Sequence, residues 1–169
     1  MGYVNDTNMS MFIPATSFSF NAGTWTPTVT SNVVANVRTA AAASNTVFIP
    51  ILIQGNAIGL KGSRLKSIDV WYTIGTADLT DFATVELEQL TLPANTVAPT
   101  AVAVTTTVDS LHNTAALRKV QQNAKMTVTI TTPVWVADAN AYMLQLVLNC
   151  AATSVVTLYG ALAHFDARE

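Results

Sequence analysis

The two histidines of this chain each have an acidic residue within three positions, so acid–base chemistry is the first possibility to weigh. Asp109, Ser110 and His112 hold the residue types of a nucleophilic triad. Three groups inside one turn do not converge as a triad must, and His112 is expected as an exposed helix residue. His164 sits in the final strand opposite Phe165 and reaches Asp166 only if the pleat twists, so it reads as a structural or interface histidine. Metal binding needs two or more ligands at supportive spacing, and neither HExxH nor CxxC occurs. Cys150 shares a strand face with Leu144, Leu146 and Leu148, which suits a buried, inert thiol with no cation to lower its pKa. No catalytic, metal-binding or cofactor-binding residue is expected.

Two charged groups remain. Asp78, Asp81, Glu86 and Glu88 lack the alternate oxygen ligands and central Gly of a calcium loop. Glu86 and Glu88 share a strand face about 7 Å apart by strand rise, close enough for a glycosidase pair. No aromatic residue lies beside them to form a sugar cleft, so a solvated or salt-bridged face is the simpler reading. Lys61, Arg64 and Lys66 form the one basic cluster, without P-loop spacing. They suit a solvated strand start, or a contact with the acidic group on another subunit that sets orientation more than affinity.

The elements that position these residues are strands. In Leu65 to Ile74, Ile68, Val70, Tyr72 and Ile74 alternate with Ser67, Asp69, Trp71 and Thr73. Phe82 to Leu90 and Lys125 to Thr131 alternate likewise, which is the half-buried strand pattern. Val47 to Ile53 is an apolar run, and Thr100 to Val108 reads as one weaker strand. Ala141 to Cys150 and Thr153 to Phe165 are apolar on both faces, so both faces should be covered. In the last strand, Val155, Tyr159 and Phe165 oppose Val156, Leu158 and Leu162. One helix is expected over about Leu111 to Gln122, capped by Asp109 or Ser110, with Arg118 and Lys119 in its last turn and Leu111, Ala115 and Val120 covering part of a sheet edge or sandwich end.

Before residue 47 the texture changes. Asn, Thr, Ser and Ala dominate, Pro14 and Pro27 interrupt, and Phe12, Phe18, Phe20 and Trp25 are spaced as anchors. Residues 1–46 are expected as an extended arm with one or two short strands, held by a neighbouring subunit. Residues 47–169 are expected as an all-β, antiparallel two-sheet sandwich, jelly-roll-like, with one short helix.

Composition narrows the function. Of 169 residues 50% are hydrophobic and 11% charged, and 25 Thr and 12 Asn replace much of the missing charge. That excludes disorder and a coiled coil. A net charge of −2 cannot supply the basic patch of a nucleic-acid binder. Neither long uncharged stretch holds about 20 predominantly apolar residues, so no membrane span is expected.

Residues 64 to 165 resemble small β-sandwich proteins encoded among the structural genes of tailed bacteriophages. The likeness lies in Ile68-Asp69-Val70-Trp71-Tyr72, in His112-Asn113-Thr114-Ala115-Ala116-Leu117-Arg118-Lys119 and in Met126-Thr127-Val128-Thr129-Ile130-Thr131-Thr132-Pro133. It ends in Tyr159-Gly160-Ala161-Leu162-Ala163-His164-Phe165. The resemblance implies a capsid decoration or minor structural protein in a virion, a homo-oligomer with a trimer favoured, contacting proteins such as a major capsid protein. Its interface residues are then expected to be Phe12, Phe18, Phe20, Trp25, Lys61, Arg64, Lys66, Asp78, Asp81, Glu86 and Glu88. A second hypothesis is a carbohydrate- or receptor-binding module of a fibre or spike, with Trp71 and Trp135 as platforms.

Overall fold

A computed structural model describes residues 5–53, 55, 62–95 and 97–168. Strand β1 (Asp6–Pro14) is followed by a single 3-10 turn and β2 (Ser19–Phe20). Then come β3 (Trp25–Thr30), β4 (Val33–Arg38), β5 (Ala43–Ile51), β6 (Gly62–Gly75) and β7 (Asp81–Thr91). The expected strand at 100–108 is two, β8 (Thr100–Val104) and β9 (Thr106–Val108), which lie in different sheets. After α1 (Ala115–Arg118) come β10 (Gln122–Ile130), β11 (Asn140–Cys150) and β12 (Val155–Arg168).

These strands make two antiparallel sheets. The larger runs β3-β4-β12-β6-β10-β9, with β1 also on β12, and the smaller runs β2-β5-β11-β7-β8. Within them β4-β12-β6-β10 and β5-β11-β7-β8 give the eight-strand order of a jelly roll. The alternating positions supply one core: Ile68, Val70 and Tyr72 of β6 and Val128 of β10 pack with Val47 and Ile49 of β5, Leu87 of β7 and Leu144 and Leu146 of β11. The chain is an all-β, two-sheet sandwich.

Residues 5–46 enter both sheets as strands. β1 pairs with β12 of its own chain from Asp6↔Arg168 to Pro14↔Gly160, where a neighbouring subunit was the expected holder. The physical reason lies in β12, whose fourteen residues outrun β4. β4 pairs only with Val156–Leu158, leaving the rest of that edge for β1.

The β12–β6 ladder carries two register shifts, at Leu158/Gly160 and at His164/Phe165. The first inserts Tyr159 into β12 and the second inserts Lys66 into β6, and each exchanges the faces of the bulged strand beyond it. Ala161 and Ala163 are therefore fully buried, while Leu162, expected with Val156 and Leu158, is turned outward. Gly160, at φ +146°, marks the first bulge, and a Cβ there would meet the Phe12 ring and the Ile13 carbonyl within 2.9 Å. Glycine is what lets β1 approach β12 so closely.

The helix is four residues, not twelve. Its cap is Thr114, whose hydroxyl accepts from the Leu117 amide, and not Asp109 or Ser110. Leu111 is 73% exposed and covers no edge. Arg118, expected in the last turn, is buried and donates to the Phe82 and His112 carbonyls at 3.0 and 2.8 Å.

Candidate functional site

The outer face of the larger sheet gathers most of the polar chemistry. Period-two alternation turns Asp69, Trp71 and Thr73 of β6 outward because Ile68, Val70, Tyr72 and Ile74 fill the core. Register then places Thr127, Lys125 and Asn123 of β10 directly beside them. On the other side β12 supplies Tyr159, Leu162 and His164, and β1 adds Ser10 and Phe12 opposite His164 and Leu162.

One end of this face is ionic. The Asp69 carboxylate is buried and accepts from the Thr127 hydroxyl at 2.6 Å and from Lys125 Nζ at 3.2 Å; His164 Nε2 is also 3.2 Å away. Burial alone pushes the Asp69 carboxyl up, but those hydrogen bonds and the Lys125 charge outweigh it and hold it below the usual carboxylate range. Asp166 is buried one bulge further along. The Arg64 guanidinium at 2.6 Å is the main cause that lowers its carboxyl, aided by Lys66 at 3.2 Å. Arg64 and Arg168 both reach Asp6, and their guanidinium carbons lie 5.1 and 4.0 Å from the centre of the Trp135 ring. Trp135 is thus a stacking partner for two arginines and not a bare platform.

The other end is uncharged. Thr73 Oγ1 donates to Asn123 Oδ1 at 2.7 Å, so its one hydrogen is used and the Tyr159 hydroxyl, 3.2 Å away, must donate to it. This relay floors a shallow groove of about 390 Å³ beside Trp71. Across Tyr159 lies a second groove of about 380 Å³, formed by Thr28, Val33, Ala35, Val37 and Thr157. Phe12 continues the apolar band and is 61% exposed.

Of the expected interface anchors, Phe12 lies on this face. Phe18 is buried in the chain's own core, and Phe20 stacks on Trp25 at 4.2 Å between ring centres. Arg64 and Lys66 bind Asp166 in their own chain, while Lys61 lies outside the described residues. Asp78 accepts from the Gln121 amide at 2.7 Å, and Asp81, Glu86 and Glu88 lie on β7 of the smaller sheet. Among the described residues no ion pair joins the acidic group to the basic one.

The histidines also differ from expectation. His112 is buried, not exposed: Nδ1 lies 2.8 and 3.0 Å from the two Asp109 carboxylate oxygens, and its ring meets Tyr72 edge-on. Asp109 also accepts from the Thr127 amide, so the pair clasps the loop to β10. His164 binds Asp69, on the neighbouring strand β6 and two residues from its register partner Ser67, in place of Asp166. Asp69 stands out in the sequence only as an alternating strand position, a lone carboxylate between Ile68 and Val70. Cys150 is buried, and burial pushes its thiol up, as an inert role requires.

No protein-family model matches the chain, and no curated protein is similar to it in sequence. Among the solved structures that resemble it distantly are two adhesin domains. The K1 cleaved adhesin domain of Lys-gingipain from Porphyromonas gingivalis W83 has 11% identity and a TM-score of 0.37, over 93% of this chain and 97% of that one. The K3 domain of the same protein has 11% identity and a TM-score of 0.35, over 90% and 92%.

Proposed function

We propose that this chain is a non-enzymatic structural subunit, of the virion type its sequence resembles, that assembles with copies of itself and with other structural proteins. The carrying observation is the run of apolar and neutral side chains on the outer face of the larger sheet, from Val33 and Val37 through Tyr159 to Trp71, with exposed Phe12 beyond it and Lys125 and Asp69 along its border. Burying such a band contributes about 25 cal/mol per Å². The ion pairs at the far end fix a pattern that a partner must match, which favours specificity. The jelly roll supports the reading by analogy alone, since capsid and lectin domains share it.

The test is the mass of the full chain in solution by light scattering. An oligomer is expected, with a trimer favoured, and the double variant Phe12→Glu, Val33→Glu should lower its mass. Both positions are exposed, so the substitutions leave the core intact. A full chain that stays monomeric at about 100 μM, well above a micromolar Kd, overturns the reading.

The groove beside Trp71 favours a second reading, a module for a neutral saccharide. The relay leaves the Asn123 amide hydrogens to donate and Tyr159 to accept, beside an indole and with no charge in the lining. Titration with chitotriose and maltotriose, followed by tryptophan fluorescence, should show a change that Trp71→Ala removes. No response to either sugar excludes those ligands.

A further inference from the structure

The sandwich has a second open surface, the free edge of β8. This strand ends the smaller sheet and pairs only with β7, from Leu87↔Val104 to Thr91↔Thr100. Half of its backbone N–H and C=O groups therefore point away from the sheet. Among the described residues no side chain and no loop backbone bonds to residues 100–104. Residues 100–103 are exposed, Val102 at 63%.

Native proteins blunt such edges with charge, proline or brevity. The other edges here follow that rule. β2 has two residues and β9 three, β3 has Pro27 at its middle, and β1 carries Asp6 and closes at Pro14. β8 has none of these devices. It lies inside twenty consecutive residues, 89–108, without one Asp, Glu, Lys or Arg. The connection that leads into it adds exposed Leu92 and Val97.

We propose that β8 pairs antiparallel with β8 of a second copy across a two-fold axis at Val102. An isologous contact uses the same patch on both copies, and because Thr100-Ala101-Val102-Ala103-Val104 reads almost the same in both directions it sets like side chains opposite one another across the two-fold axis. Val102 then faces its own copy, Ala101 faces Ala103, and Thr100 faces Val104. The β-branched side chains pair on one face, and on the other the alanines leave room for close approach. Glu88 falls in register with Ala103, so across the new seam its row continues to Ala101 and Leu90 of the second copy. No two carboxylates oppose each other. The two five-stranded sheets join into one of ten strands. This pairing does not depend on docking at the outer face of the larger sheet.

Sedimentation equilibrium of the full chain tests it together with two variants. Val102→Lys places a charge on an exposed side chain of the edge. It should weaken association at least tenfold, with an unchanged circular dichroism spectrum. Val102→Cys should form an intermolecular disulfide under mild oxidation, because the paired positions sit face to face and Cys150 is buried. Leu111→Cys, more exposed than Val102 but off the edge, should not. If Val102→Lys leaves the mass unchanged while Phe12→Glu, Val33→Glu lowers it, the edge pairing is overturned and the outer-face reading stands. The reverse result leaves only the edge. Failure of Val102→Cys to crosslink faster than Leu111→Cys also overturns the pairing.

Discussion

Gly160 shows how one residue joins two strands. Its backbone is left-handed, and Phe12 and Ile13 occupy the space a side chain would need. Gly160→Ala should therefore cost about 2 kcal/mol of stability, from the strained φ and the displaced β1. Urea unfolding measures the loss, and amide exchange should show it concentrated in residues 6–14. A second residue-scale effect follows from Asp69 and Asp166, whose carboxyls are held low in the fold. A carboxyl with a depressed folded pKa stabilises the fold above its unfolded value, about 3.9, and that contribution disappears as pH falls through the folded value. Urea midpoints should thus drop below about pH 4. Asp69→Asn with Asp166→Asn should lower stability at pH 7 and flatten the acid drop. An unchanged acid limb in the double variant would falsify this assignment.

Among the elements, α1 and its buried cation are the sharpest case. Replacing Arg118 by Met removes the donors that satisfy the Phe82 and His112 carbonyls, at about 1–3 kcal/mol for each buried group left unpaired. A total loss near 3 kcal/mol is expected in denaturant unfolding, although α1 itself has only four residues. The β3–β4 hairpin predicts the opposite sign. Ser31 and Asn32 both have positive φ, the geometry that favours Asn-Gly. Asn32→Gly should raise stability by about 1 kcal/mol and move the thermal midpoint upward. These two elements also mark what was legible. Alternation placed β6, β7, β10 and β11 within a few residues, because burial of one face imposes a period of two. It could not place the bulges in β12 and β6, since one inserted residue exchanges faces without changing composition. Leu162 was misassigned for that reason. The helix pattern around Leu111 failed because a guanidinium buried against carbonyls outweighed the apolar spacing. The ionic end of the site was hidden for a related reason: Asp69 meets His164 and Thr127 only through cross-strand register.

At the scale of the whole molecule, the first 46 residues decide what an experiment can separate. Composition set them apart as an arm, and removing an arm would leave a sandwich intact. In the structure they provide β1, β3 and β4 to one sheet and β2 to the other, and bury Ile13, Phe18, Ala35, Asn36, Arg38 and Asn45. The Asn36 amide donates to the Ala15 carbonyl, so even the links between these strands lie inside the fold. A fragment spanning 47–169 would lose those side chains and bare one edge of β12 from end to end. An exposed strand of fourteen residues, apolar over much of its length, is a template for aggregation. The fragment should therefore lack near-ultraviolet circular dichroism, exchange its β12 amides rapidly and precipitate at micromolar concentration. Its mass would then report aggregation and not the loss of a clasp, which is why point variants on intact strands are the cleaner probes of assembly. If the fragment instead stays soluble and unfolds cooperatively at the urea midpoint of the full chain, the first 46 residues are an appendage and the strand pairings of β1 and β4 do not contribute to stability.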